Sequence, residues 1–149
     1  MMDEHHPAPL YILCVDSGHH GSEAVGVACR RAVQMGGRVG LFNTLQLDEF
    51  QGWATVEDTL KQELREQSEK ELWVVAGHIR DNYDLTPEFY IEEGRPLDAL
   101  KKIIKAYPEI AEVIVTTEKK DAADYLELKA VKKFPVPLVL VSDHPKSEE

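Results

Sequence analysis

Leu10-Tyr11-Ile12-Leu13-Cys14-Val15-Asp16-Ser17-Gly18-His19-His20-Gly21-Ser22-Glu23-Ala24-Val25-Gly26-Val27-Ala28 decides the fold. Tyr11 to Val15 is a near-continuous apolar run, as expected for a strand buried on both faces. A polar glycine turn follows, and then a helix. Ser22 reads as its N-cap and Glu23 suits its first turn. Val25, Ala28, Ala32 and Met35 recur at helical spacing, and Gly36-Gly37 closes the helix. Asp16 therefore stands at the carboxyl end of a strand, where open parallel sheets hold ligands.

The pattern repeats outward from this unit. Arg38 to Leu45 predicts a second strand with Val39, Leu41 and Phe42 as its apolar content. After Gly52 and Trp53, Thr55 reads as an N-cap with Asp58 three residues on. Val56, Leu60 and Leu64 then mark one face of a charged helix. Leu72 to Ala76 reads either as more of that helix or as a short strand. Phe89, Ile91 and their neighbours predict a third strand ended by Gly94. Pro96 opens the next helix, with Leu97, Leu100, Ile104 and Tyr107 as its stripe and Pro108 as its stop. Val113 to Val115 predicts a fourth strand, and Asp121 caps a helix carrying Ala123, Leu126 and Ala130. Pro135 to Val141 predicts the fifth strand. Strict alternation of five strands and four helices argues one doubly wound α/β domain, a parallel sheet with helices on both faces. The domain is expected over residues 10–141, between a disordered segment 1–9 and a polar tail 142–149.

Bulk properties exclude several classes. The chain has 149 residues and a formal charge of −10. Nucleic acid would be repelled, and no basic stripe with interleaved aromatics is present. The lysines at 101, 102, 105, 129, 132 and 133 read as solvated helix faces. No apolar run approaches a membrane span, and Met1 to Pro9 lacks a basic region before an apolar stretch. A cytoplasmic location is the expectation. Cys14 and Cys29 make no disulfide framework and are expected to be reduced and packed.

Four pieces of the chain together resemble the universal stress protein family. They are Ile12 to Asp16 with Ser22 and its alanine-rich helix; Gly37-Arg38-Val39-Gly40-Leu41-Phe42-Asn43; Glu93-Gly94-Arg95-Pro96-Leu97-Asp98-Ala99-Leu100; and Val131 to Val141. The resemblance implies the strand order 3-2-1-4-5, with Asp16 and Thr116 at the lips of the cleft between strands 1 and 4. It also implies a homodimer joined through the last strand. Members that bind ATP carry a glycine-rich signature after the fourth strand, whose backbone amides approach the phosphates closely. This chain has no glycine after Gly94, and the matching segment reads Thr116-Thr117-Glu118-Lys119-Lys120-Asp121-Ala122-Ala123-Asp124-Tyr125. A carboxylate ~4 Å from a phosphate charge costs about 4 kcal/mol at an effective dielectric near 20. Three acids against two lysines over Glu118 to Asp124 make a poor anion cradle. ATP is therefore expected to bind weakly or not at all, while adenosine without phosphates, or AMP held weakly from one side, is less penalised. Asp16, Ser17, Thr44, Thr116 and Thr117 are the candidate contacts on the adenosine side.

Other chemistry is weaker. His19 and His20 with Asp16 resemble a metal set by type, but adjacent histidines in a turn rarely converge on one ion. Ser17 and Ser22 near His19 lack a nucleophile-elbow motif, so no catalytic residue is assigned. Asp16 has an alternative use, ordering its own turn through backbone amides. Trp53, Trp73, Tyr83 and Tyr90 are not spaced for base stacking and are expected to pack in the core or at its rim. The expected function is that of a non-enzymatic, dimeric stress-response protein. It would act through a protein partner or a weak adenosine-type ligand. The alternatives are an atypical member that binds or hydrolyses ATP, and an unrelated doubly wound binding domain.

Overall fold

The computed structural model describes residues 8–15, 23–45, 54–117 and 134–142. The strands are β1 (Leu10–Cys14), β2 (Arg38–Leu45), β3 (Glu88–Glu93), β4 (Ile110–Thr117) and β5 (Leu138–Ser142). The helices are α1 (Glu23–Met35), α2 (Ala54–Tyr83) and α3 (Pro96–Ala106). All four strand pairings are parallel, and the order is β3-β2-β1-β4-β5, as the resemblance implied. The helix expected from Asp121 lies outside the described residues, as do segment 1–7 and tail residues 143–149.

Side-chain alternation along β1 builds two cores. Tyr11, Leu13 and Val15 face α1 and α2 with Val39, Leu41 and Ile114. Leu10, Ile12 and Cys14 face α3 with Phe42, Val113 and Val115. Helices therefore cover both faces, and β1 is buried throughout. On α1, Val25, Ala28 and Ala32 are buried as the spacing predicts, together with Cys29. Met35 is not: it is 62% exposed at the last turn, where the helix has already left the sheet. Gly36 follows with φ +65, and the N–H of Gly37 reaches back to the carbonyl of Ala32 at 2.7 Å, which is the left-handed closure expected there. Gly40 has a different reason. A Cβ there would come within 2.7 Å of the Tyr90 ring and 2.9 Å of Ile12.

The stretch Leu72 to Ala76 belongs to α2, which runs unbroken for 30 residues. Leu72, Val75, Ala76 and Ile79 are buried, whereas Trp73 and Val74 stand more than half exposed. That is a 3.6-residue period, and a strand would have buried alternate residues. At about 1.5 Å per residue α2 is ~45 Å long, against ~26 Å for an eight-residue strand. Its first half therefore overhangs the sheet, and Leu60 and Leu64 are only half-buried. The helix starts at Ala54, so Thr55 is inside it and is not its cap.

On α3, Pro96 occupies the first turn as expected. Its buried set is Ala99, Leu100, Ile103 and Ile104; of the expected stripe, Leu100 and Ile104 are buried and Leu97 is only half-buried. Tyr107 is the exposed C-cap and packs edge-on against Tyr90, ring centres 5.3 Å apart. The strand β5 is shorter than expected, because Pro135 and Pro137 precede its paired residues.

Charged pairs tie the edges. Arg38 donates to Glu88 at 2.6 Å and to Glu109 at 3.1 Å, clamping the amino ends of β2, β3 and β4 together. Tyr90 donates to the other oxygen of Glu88 at 2.6 Å. Burial and that hydrogen bond push the phenol well above its ordinary value. Arg31 Nε lies 3.3 Å from Glu112 Oε1, holding α1 to β4. Both atoms are enclosed without an aligned hydrogen bond, so the contact is one of charge alone.

Candidate functional site

The site is the rim at the carboxyl ends of the strands, above the junction of β1 and β4. The strand order reverses there, with β2 following on one side of β1 and β4 and β5 on the other, and in open α/β sheets such a switch point is where ligands are held. The ladder continues one residue past β1, since Val15 N–H donates to the carbonyl of Phe42 at 2.9 Å.

The pairings divide the candidates between two faces. Cys14 pairs with Phe42, and Leu13 with Ile114. Continuing one step, Asn43, Val15 and Thr116 share a row on the α1/α2 face, and Val141 pairs with Thr116. Thr116 is buried, 6% exposed, with Val15 and Val141 also enclosed in that row. Thr44 belongs to the next row, on the α3 face, and is half-buried. It pairs with Glu92, which reaches Lys102 of α3 at 3.5 Å. Thr44 and Thr116 thus stand on opposite faces of the sheet and do not converge from one side. Thr117 ends β4 opposite Ser142. Asp16 and Ser17, with His19 and His20, lie outside the described residues.

Two polar residues at this end were not singled out by their types. Asn43 Nδ2 donates to Ser68 Oγ at 3.1 Å, and Asn43 Oδ1 accepts from the N–H of Thr44 at 2.8 Å. The amide is therefore fixed in both directions. Ser68 is 3% exposed on α2. Its signal was present in the sequence. It sits four residues from Leu64 and four from Leu72, a lone hydroxyl on an apolar stripe. Beyond it Lys61 is engaged with Glu93 at 3.3 Å.

The described part of the rim carries hydroxyl, amide and backbone groups. Among the described residues no cluster of three histidine, cysteine or acidic side chains is placed to hold an ion. Among them, too, no helix is long and apolar enough to cross a membrane.

An open parallel sheet with this strand order defines the class, a doubly wound α/β domain. Within that class, the fold is the one seen in universal stress proteins. UspA from Lactobacillus plantarum superposes with a TM-score of 0.71 at 14% identity, covering 91% of this chain and 99% of that one. A universal stress protein from Archaeoglobus fulgidus gives 0.64 at 16% identity, covering 91% and 94%. A universal stress protein solved in complex with cAMP gives 0.55 at 11% identity, covering 93% and 100%. No protein-family model matches the chain, and no curated protein sequence matches it.

Proposed function

We propose that this chain is a non-enzymatic universal stress protein that works as a homodimer in the cytoplasm, binding an adenosine-type ligand weakly and acting through a protein partner. The observation that supports the ligand reading is the combination of a switch point in strand order at the β1/β4 junction with a glycine-free, net acidic segment directly after β4 in the sequence. Such a rim can receive a base and a ribose through Thr44, Thr116, Thr117, Asp16 and Ser17. A ligand lying across the strand tips touches residues of both faces, so the split between Thr44 and Thr116 is compatible with one occupant. The triphosphate has no equivalent cradle. One structural neighbour was solved with cAMP, an adenosine nucleotide of low charge, which supports the same ligand class.

The two sheet edges support the dimer. On β3, Glu88, Glu92 and Glu93 are each engaged with a cation, so that edge carries charge at both of its ends. On β5, Leu138, Val139 and Leu140 are apolar, and Leu140 is 42% exposed. Charge guards one edge against pairing; the other is left for a partner. A second copy related by a two-fold axis covers both apolar edges at once.

Native mass spectrometry of protein purified from cells, followed by calorimetric titration with ATP and AMP, tests the reading. A dimer with weak AMP binding, lost in Asp16→Ala, is expected. A micromolar or tighter ATP constant overturns the ligand assignment, and a monomer at high micromolar concentration overturns the dimer.

A further inference from the structure

A concavity lies at the outer edge of the sheet. It is a groove of about 250 Å³ between α2 and the start of β3, lined by Trp73, Ala76, Arg80, Thr86, Pro87 and Phe89. Two strands, β2 and β3, separate it from the β1/β4 junction. Trp73 and Phe89 meet edge to face, centroids 5.0 Å apart and planes at 70°, and form an aromatic corner. The Trp73 side chain remains 59% exposed, although a few residues along the same helix Leu72, Val75 and Ile79 are fully enclosed. Ala76, one turn from Trp73, leaves the floor open because its side chain is a single methyl.

Arg80 follows Ala76 by one helical turn and so stands at the mouth of the groove. Among the described residues it makes no ion pair, unlike Arg31, Arg38, Lys61 and Lys102. Asp84, the acid four residues on, lies just past the end of α2 with a left-handed backbone, φ 58, and forms no ion pair with Arg80. An apolar cavity of about 150 Å³ accepts a benzene ring, so this groove has room for one ring and a short acid arm. Arginine matches a carboxylate bidentately, and its guanidinium also lies readily against an aromatic face.

We propose that this groove binds a small single-ring aromatic carboxylate, with the ring in the Trp73–Phe89 corner and the carboxylate on the Arg80 guanidinium. The two halves of the site ask for one ligand chemistry: an apolar planar body in the corner, and a negative charge beside it within reach of Arg80, whose backbone stands two helical turns along α2 from Trp73. A neutral ring lacks the anchor, and a bare anion lacks the corner. In a chain of charge −10, long-range repulsion opposes such an anion. The affinity must therefore come from local contact and rise with added salt up to the point where screening reaches the Arg80 pair.

The test uses the full chain carrying Trp53→Phe, so that Trp73 is the single tryptophan. Phenylacetate is titrated against its emission, with phenylacetamide and acetate as controls, and ligand-observed NMR is run in parallel. Saturable binding of phenylacetate, at least about tenfold tighter than phenylacetamide and weakened about tenfold or more by Arg80→Gln, is expected. Arg80 is on the surface, so Arg80→Gln keeps the fold, which circular dichroism verifies. Equal binding of acid and amide, binding unaffected by Arg80→Gln, or no saturable signal by either method overturns the proposal. None of these outcomes bears on the β1/β4 junction, where nucleotide titration is read separately.

Discussion

Asn43 at the end of β2 and Ser68 on α2 are joined by a 3.1 Å hydrogen bond that ties the rim of the sheet to the helix above it. Ser68 is buried and Asn43 half-buried, and their bond lies near the carboxyl end of β2. Removing the hydroxyl leaves the amide without its acceptor. Ser68→Ala is expected to cost about 1 kcal/mol, the loss of one hydrogen bond to a half-buried donor. Urea unfolding measures it. Pairing Ser68→Ala with Asn43→Leu should recover part of the loss, since no donor is then stranded, and a strictly additive double variant would contradict this account.

Gly40 of β2 lies on the α3 face between Ile12 of β1 and Tyr90 of β3. Gly40→Ala puts a methyl within 2.7 Å of the Tyr90 ring and 2.9 Å of Ile12. The ring is also held by its bond to Glu88, so it cannot simply swing away. A loss of about 1–3 kcal/mol is expected from overpacking. Thermal unfolding of Gly40→Ala beside Gly40→Ala with Tyr90→Leu separates clash from glycine entropy, since the second change should relieve the first.

Cys29 is fully enclosed on α1, and burial pushes its thiol from 9.0 up to about 11, with Arg30 opposing the rise. The unfolded thiol ionises first. Stability from this group is whole below pH 9.0 and declines as pH rises toward 11, because only the unfolded state loses its proton in that window. Cys29→Ala should flatten that part of the stability profile, as read by denaturant midpoints across pH. Tyr90, also raised, adds to the decline at the alkaline end. In the folded chain Cys29 should resist a thiol reagent at neutral pH and react once denaturant is added.

Leu140 is the side chain that best probes the β5 edge. Val139 packs partly against the α1-side core, so a lysine there would disturb the fold itself. Leu140 is 42% exposed, and Leu140→Lys changes the surface with little loss inside. Light scattering should show dimer going to monomer, with the circular dichroism spectrum unchanged. A dimer that persists unaltered would place its interface elsewhere.

What the sequence alone determined was the alternation of elements. The apolar run of β1, the glycines at 36 and 37, and Pro96 are local signals, and each acts within a few residues of itself. Family resemblance then supplied the strand order, which local pattern cannot reach. The unbroken course of α2 through Leu72 to Ala76 depended on tertiary burial: an apolar run of five has the same composition in a strand or a helix, and only the sheet chose which side chains to enclose. The same holds for the rim. Thr44 and Thr116 look equivalent as threonines at strand ends, yet register sets them on opposite faces, because one residue of offset turns a side chain through the sheet. Asn43 and Ser68, 25 residues apart, meet only because α2 crosses the end of β2. Trp73, Arg80 and Phe89 form one groove for the same reason: a helix and the strand that follows it fold back on each other, and that return is a property of packing.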